Sequence, residues 1–218
     1  DLYYKYHGNY DIVDYNKMAE KGYIEKGYLK WWGVEDKRLY DVAKKEILEL
    51  SSSDKPFAVT MFTMDTHFPN GYLDETCDIK YDDQLSNVYS CASKMANEFI
   101  KWLKAQDFYQ DTTIVILGDH LTMQNSYYKD YKSYDRTIYN AFINSKLNTN
   151  NNKNREFNNF DFYPTILASI GAKIENDKLG FGTNLFSDKP TLSEQLGKDV
   201  FERELLKNSK YYEKSILK

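Results

Sequence analysis

The chain has 218 residues, 41% hydrophobic and 28% charged, the composition of an ordinary globular protein able to bury a substantial core. A formal net charge of -4 and a pI near 5.5 exclude an extended basic surface for nucleic acid or anionic lipid, because both need clustered Lys and Arg to displace counterions. No run approaches the roughly 20 apolar residues that span a bilayer, and no signal peptide opens the chain.

The first residues, DLYYKYHGN, lack an initiator Met and begin inside an aromatic and apolar stretch. The chain is therefore expected to be a piece of a longer protein whose anchors lie elsewhere. Residues 1–8 are expected to form a strand ending at Gly8. In KRLYDVAKKEILEL, Leu39, Val42, Ala43, Ile47 and Leu50 recur at the spacing of an amphipathic helix. KPFAVTMFTM is a short apolar run rich in β-formers and bounded by Pro56, which predicts a strand covered on both faces.

A polar loop, DTHFPNGYLDETCDIKYDDQ, follows, and its carboxylates lack the ligand spacing of an EF-hand. LSNVYSCASKMANEFIKWLKAQ is the most strongly periodic helix. TTIVIL predicts a second doubly buried strand and TIYNAFINS another. NTNNNKNREF reads as a surface loop, and FDFYPTILASIGA as a helix stopped by Gly171. The tail, residues 190–218, is amphipathic and suits a terminal helix. Alternating strands and helices predict an α/β fold, a mostly parallel sheet sandwiched by helices, with one domain as the default. Ligands collect at the carboxyl ends of the strands in such sheets.

Two cysteines, Cys77 and Cys91, fit neither a disulfide-dense scaffold nor a zinc-thiolate spacing. Cys91 falls in register with Val88, Ala92, Met95 and Phe99, so a buried helix-face thiol is the favoured reading. The alternative is a Cys77–Cys91 bridge, which requires an oxidising compartment.

The chain holds three histidines, His7, His67 and His120, each directly after a predicted strand, so all three imidazoles are expected at one sheet edge. Adjacent residues on a strand face opposite ways, but a turn at Gly118 would let the Asp119 carboxylate and the His120 imidazole converge on one cation. The bland alternative for the pair is a capping Asp and a partly exposed His. His67, in TMDTHFPNG, suits a metal when neutral, or a phosphate oxygen or leaving alkoxide when protonated. His7, between Tyr6 and Gly8, suits a polyol or simply a turn. The Trp pair in WWG, at 31–33, offers a sugar platform but reads more readily as packing. There is no Gly-rich phosphate loop and no G-x-S-x-G elbow.

Four blocks in order, FTMDTHFPNGYLDETC, TTIVILGDHLTM, DRTIYNAFIN and FDFYPTILASIGA with LGFGTNLFS, resemble the sulfatase-like catalytic domain of bacterial phosphoglycerol transferases. The nearest branch decorates periplasmic glucans, lipoteichoic acid synthases are cousins, and all belong to the alkaline phosphatase superfamily. The resemblance implies that residues 1–218 are the C-terminal portion of one such domain. It implies a divalent metal, manganese or magnesium before zinc, on Asp119 and His120. It implies substrate phosphate on His67, with catalytic weight there, and glycerol contact at His7 and Asn9. The Trp and Arg that follow this last segment in the teichoic acid branch have no counterpart in YDIVDYNK.

The family's acidic metal ligand and threonine nucleophile would lie before Asp1, so the chain is expected to carry about half of an active site. The implied partners are a phospholipid head group and a glycan or polymer acceptor. The implied place is the periplasmic or extracellular face of the cytoplasmic membrane, held by transmembrane helices outside this chain. Alternatives are a phosphoethanolamine transferase or sulfatase of the same superfamily, and a non-catalytic module binding a glycan or head group.

Overall fold

The computed structural model describes residues 2–8, 10–123, 125–128, 136–151 and 153–217. They form two compact units, Asp1–Tyr109 with His120–Thr137, and Gln110–Asp119 with Ile138–Lys218.

The first unit is helical. Helix α1 spans Leu2–Gly8 and α2 spans Tyr15–Glu20, where the Asp14 carboxylate caps the first turn by accepting from the Lys17 N–H at 3.0 Å. Helix α3, Asp36–Ser51, buries Tyr40, Val42, Ala43 and Ile47. Helix α4, Gln84–Lys104, starts at the Asp83 cap, buries Leu85, Val88, Cys91 and Leu103, and ends with Lys101 and Lys104 where the helix dipole favours cations. The two long helices meet through rings, Tyr40 lying 4.9 Å from Phe99. A smaller core gathers Met18, Ile24 and Val42, with Val13, Tyr15 and Leu39 packed against it. A short helix α5, Asn125–Tyr128, also belongs to this unit.

Two expectations for this unit change. Residues 2–8 form a helix rather than a strand, and Tyr4 packs 5.7 Å from Phe62 and 5.6 Å from Tyr10. Aromatic β-propensity is a statement about packing partners, and here those partners suit a helix. Residues 56–64 run without regular structure and join no ladder among the described residues, with Phe57, Val59 and Phe62 exposed. Strand-forming composition becomes a strand only when a neighbour supplies the ladder.

The Cys77–Cys91 pair is the third correction. The favoured thiol reading gives way to a disulfide with its Cα atoms 5.7 Å apart, tying the loop after residue 72 to the middle of α4. Beside it, buried Asn87 closes the same loop. Its Oδ1 accepts from the N–H of Lys80 and Tyr81 at 2.7 and 2.9 Å, and its Nδ2 donates to the Tyr81 and Asp83 carbonyls.

In the second unit, β1, Ile114–Leu117, and β2, Asn140–Ile143, pair with Ile114 opposite Ile143 and Leu117 opposite Asn140. The predicted strands exist, but β1 is partly exposed rather than doubly buried, the ladder is antiparallel, and so is the two-residue ladder of β3, Lys178–Leu179, with β4, Gly182–Thr183. The mostly parallel sheet expected from element order is not found among the described residues, where both ladders are antiparallel pairs.

Helix α6, Phe162–Ser169, ends before Gly171, whose φ of 90° is the left-handed conformation glycine adopts without strain. Fully buried Asp161 leads into α6. Its Oδ1 accepts from the Thr183 N–H at 2.8 Å and its Oδ2 from the Asn158 N–H at 3.0 Å. The tail contains α7, Leu192–Leu196, and α8, Lys198–Leu205, separated at Gly197 with φ 77°. Helix and strand are thus mixed as the α/β reading expects, and no helix among the described residues is long and apolar enough to cross a membrane.

Candidate functional site

His67 sits in a loop built by main-chain closure. The His67 N–H donates to the Met64 carbonyl at 2.9 Å, the Gly71 N–H to the His67 carbonyl at 3.1 Å, and the Tyr72 N–H to the Asp65 carbonyl at 2.7 Å. Asn70 and Gly71 are both left-handed, at φ 60° and 64°, and Phe68–Pro69 is cis. A Cβ on Gly71 would stand 2.6 Å from the Asp65 carbonyl oxygen, so glycine is required there by space as well as by φ. Gln84, the first residue of α4, donates from Nε2 to the carbonyls of Asn70 and Gly71 at 3.2 and 3.3 Å.

The imidazole of His67 is oriented on two sides. Its Nδ1 lies 2.6 Å from the Phe68 carbonyl oxygen, so Nδ1 carries a proton and Nε2 is the nitrogen turned to other chemistry. Its ring lies 4.4 Å from the Trp32 ring and 6.1 Å from that of Trp31. The two tryptophans form the tip of a tight turn in which Lys30 and Gly33 exchange hydrogen bonds of 2.8 and 2.9 Å, with Trp31 at φ 49°. The Trp pair is therefore not simple packing, since Trp32 is 58% exposed and lies against the histidine.

Beneath the loop is a buried acidic cluster. Oδ1 of Asp36 accepts from the N–H of Met64 at 2.5 Å and of Asp65 at 3.1 Å, while Oδ1 of Asp65 accepts from the Asp36 N–H at 3.1 Å. Glu35 Oε1 accepts from the Tyr28 hydroxyl at 2.6 Å. Glu35, Asp36 and Asp65 are all buried, and Glu35 Oε2, Asp36 Oδ2 and Asp65 Oδ2 have no hydrogen-bond partner among the described residues. Burial, then the neighbouring charge of Asp36, pushes the Asp65 carboxyl up to about 7. Burial likewise raises Asp36 against the opposing backbone hydrogen bonds, and Tyr40, buried beside both, is pushed up to about 12.

Asp119 closes a segment of the second unit and His120 opens a segment of the first, both exposed. Gly118 is not the turning residue the sequence suggested, since it is not left-handed. A Cβ there would stand 3.3 Å from Ile138 Cβ, and the Gly118 N–H donates to the Tyr139 carbonyl at 2.8 Å, so the glycine serves close approach of β1 and the chain entering β2. Nδ1 of His120 lies 2.8 Å from the Leu121 carbonyl oxygen. This is the His67 arrangement repeated: the next residue's carbonyl accepts from Nδ1 and orients the ring.

A carboxylate oxygen and an oriented imidazole suit manganese, magnesium or zinc, so the pair fits the expected cation in donor type. No group of three or more His, Cys, Asp or Glu side chains able to hold a metal occurs among the described residues. His7 lies on α1, not at the end of a strand, and its side chain is outside the described part, as is Asn9 altogether.

Sequence reading singled out His67 and the Asp119–His120 pair and passed over the acidic cluster under the loop. The available signal was an acid beginning an amphipathic helix, in VEDKRLYDV, and a second acid two residues before His67.

The Sulfatase family model matches residues 2–172. Phosphoglycerol transferase I of Escherichia coli strain 55989 is 33% identical over 142 residues, 62% of this chain and 18% of that protein. The proteins of the same name from Escherichia coli O157:H7 strain EC4115 and Shigella boydii serotype 18 align with the same identity and coverage. The match thus spans less than a fifth of the length of these relatives. The crystal structure of a protein in the alkaline phosphatase superfamily from Vibrio parahaemolyticus is similar with a TM-score of 0.55 and 25% identity, over 74% of this chain and 42% of that one.

Proposed function

The chain belongs to the sulfatase family and has a fold of the alkaline phosphatase superfamily, and on that premise we propose that it works in a metal-dependent phosphotransferase. The reaction is transfer of phosphoglycerol from a phospholipid-type donor to a glycan or polymer hydroxyl. The observation that carries this reading is the oriented imidazole of His67 in a loop of the segment that the Sulfatase family model matches.

In this reading His67 presents Nε2 to a non-bridging phosphoryl oxygen, and when protonated it donates there a charge-assisted hydrogen bond. The Phe68 carbonyl holds the ring's tautomer and Trp32 holds its plane. Asp119 and His120 would hold the divalent cation, manganese or magnesium before zinc. When bound, such a cation neutralises phosphodiester charge and lowers the pKa of an attacking hydroxyl. That hydroxyl is assigned to a threonine outside this chain, which takes the phosphoglyceryl group before the acceptor does. His7 and Asn9 are assigned to the glycerol. The substrates place the protein at the outer face of the cytoplasmic membrane, held there by segments other than this chain.

The family's description keeps sulfate-ester cleavage as the second reading, and a donor panel separates the two. The protein that carries this chain should release diacylglycerol from a phosphatidylglycerol analogue in the presence of manganese and leave aryl sulfates and phosphatidylethanolamine intact. His120→Ala should lose both bound manganese and transfer. Retention of both would refute the metal assignment, and preference for the sulfate or ethanolamine donor would refute the substrate assignment.

A further inference from the structure

The reciprocal bonding of Asp36 and Asp65 is unusual in what it leaves over. Each carboxyl uses Oδ1 on main-chain N–H groups and keeps an Oδ2 that is buried without a partner among the described residues, and Glu35 Oε2 is in the same condition. Asp36 and Asp65 are only 1% and 2% exposed. Two ionised carboxylates held together away from water, with acceptor oxygens facing no donor, are doubly unfavourable: the charges repel and the lone pairs are desolvated. One proton on either Oδ2 leaves the pair with a single charge, which removes the repulsion and turns one orphan acceptor into a donor.

The surroundings supply little else to offset the charge. Glu35 and Asp74 act on Asp65 in the same direction as Asp36 does, and the opposing influence is the Asp36 N–H. Tyr40 feels the charge of both carboxyls, and Tyr72 feels Asp65 together with Glu35, Asp74 and Glu75. Among the described residues, Lys37 is turned to Asp74 at 3.9 Å and to the Thr76 hydroxyl at 3.3 Å, Lys30 also acts on Asp74, and Arg38 lies over the Tyr28 ring.

We propose that Asp36 and Asp65 are positioning residues that share one proton, and that this shared-proton clamp holds the His67 loop in its ordered form. The loop begins at the two N–H groups that Asp36 holds, and it is closed by the Asp65 carbonyl on the Tyr72 N–H. Loss of the proton sets two buried negative charges against each other at the root of that loop, and the relief is separation of α3 from residues 64–65. The consequence for catalysis rests on the reading of His67 given above; the proton and the loop order do not.

The test is a carbon-detected titration of the aspartate Cγ resonances in the 218-residue chain between pH 4 and 9, assigned with Asp36→Asn and Asp65→Asn. A midpoint within about one unit of 7 for one carboxyl of the pair, absent in Asp65→Asn, is expected. Midpoints below 5 for both carboxyls overturn the shared proton, and so does a shift of both resonances on adding millimolar magnesium or calcium, which would make the orphan oxygens a cation site.

Amide exchange tests the positioning role. The Met64, Asp65, His67, Gly71 and Tyr72 amides should exchange about tenfold faster, after correction for intrinsic rates, above pH 8 and in Asp36→Ala. Asp36→Asn, which keeps the acceptor oxygen, should restore their protection. Equal protection in Asp36→Ala and the unaltered chain overturns the clamp.

In a transfer assay KM for the phospholipid donor should rise as the pH passes 7, and this rise should vanish in Asp65→Asn. A kcat loss of equal size at every pH with the KM profile unchanged would mark a merely structural pair. If no transfer is found at any pH, the functional reading fails while the titration and exchange results stand by themselves.

Discussion

The N–H of Asp36 donates to Oδ1 of Asp65, and the N–H of Asp65 donates to Oδ1 of Asp36, each at 3.1 Å. This symmetrical pair couples the first turn of α3 to the loop of His67, residues 29 apart in sequence. Because the Asp65 carboxyl is raised to about 7 when folded, the folded chain holds a proton that the unfolded chain gives up near pH 4. Stability therefore falls as pH rises from about 4 through 7 and stays low above it. Asp65→Asn, which keeps the acceptor oxygen and removes the charge, should gain on the order of 2–4 kcal/mol at pH 8 and little at pH 4. Urea denaturation at the two pH values measures it. No gain at pH 8 would show that the pair is ionised without penalty.

Gly71 sits at φ 64° with Asp65 O, Val88 Cγ1 and Val88 Cγ2 at 2.6, 2.8 and 3.2 Å from the position of an added Cβ. Gly71→Ala should cost more than about 2 kcal/mol, from left-handed strain plus collision with main chain. Gly22→Ala is the control. It has a similar φ of 70° but open space around it, and should cost only about 1 kcal/mol. Equal losses at the two positions would mean that the loop absorbs the side chain by shifting.

The Cys77–Cys91 bridge closes a segment of 14 residues. Restricting an unfolded chain over that length is worth about 3 kcal/mol. Reduction, or replacement of both cysteines by serine, should lower the urea midpoint accordingly, and the loop around Asn87 should exchange its amides first. An unchanged midpoint under reducing conditions would return the pair to the thiol reading.

Arg155 grips Glu194 with Nε and Nη2 at 2.7 and 2.8 Å and also donates to the carbonyls of Leu185, Ser187 and Lys189. The guanidinium holds the Glu194 carboxyl down to about 2, and the side chains are only 15% and 23% exposed. For a lowered acid the sign is opposite to that of Asp65: the stabilisation is full above about pH 4.5 and is lost as pH falls toward 2. Arg155→Lys removes the two-pronged geometry and should cost about 2–3 kcal/mol at pH 7. The acid limb of the stability curve should shrink with it. An unchanged acid limb in Arg155→Lys would place the acid sensitivity elsewhere.

What the sequence disclosed depends on whether the signal was local. Helices α3 and α4 were legible because Val42, Ala43, Ile47 and then Val88, Cys91, Leu103 follow the helical period, and β1 was legible as a short apolar run. Residues 2–8 were misread because their tyrosines favour either structure until Phe62 and Tyr10 are brought against Tyr4. The direction of the β1–β2 ladder is a property of the connection, which composition does not encode.

The candidate site divides in the same way. His67 and His120 were singled out by rarity and by their place after apolar runs, yet the Phe68 and Leu121 carbonyls that orient their Nδ1 atoms leave no mark in the sequence. Asp36 and Asp65 each carry a faint local signal, but they lie 29 residues apart and nothing local pairs them, while the disulfide needed the Cα atoms of Cys77 and Cys91 brought to 5.7 Å.

The most direct measurement is the rate at which the protein carrying this chain moves labelled phosphoglycerol from phosphatidylglycerol to a soluble glucan, compared with its His67→Ala form. Loss of an oriented donor to the phosphoryl oxygens should slow transfer by about 10²-fold or more, with the urea transition unmoved, since the His67 side chain is only half-buried. A His67→Ala protein that transfers phosphoglycerol at the unaltered rate would contradict the assignment of this loop to the reacting phosphate.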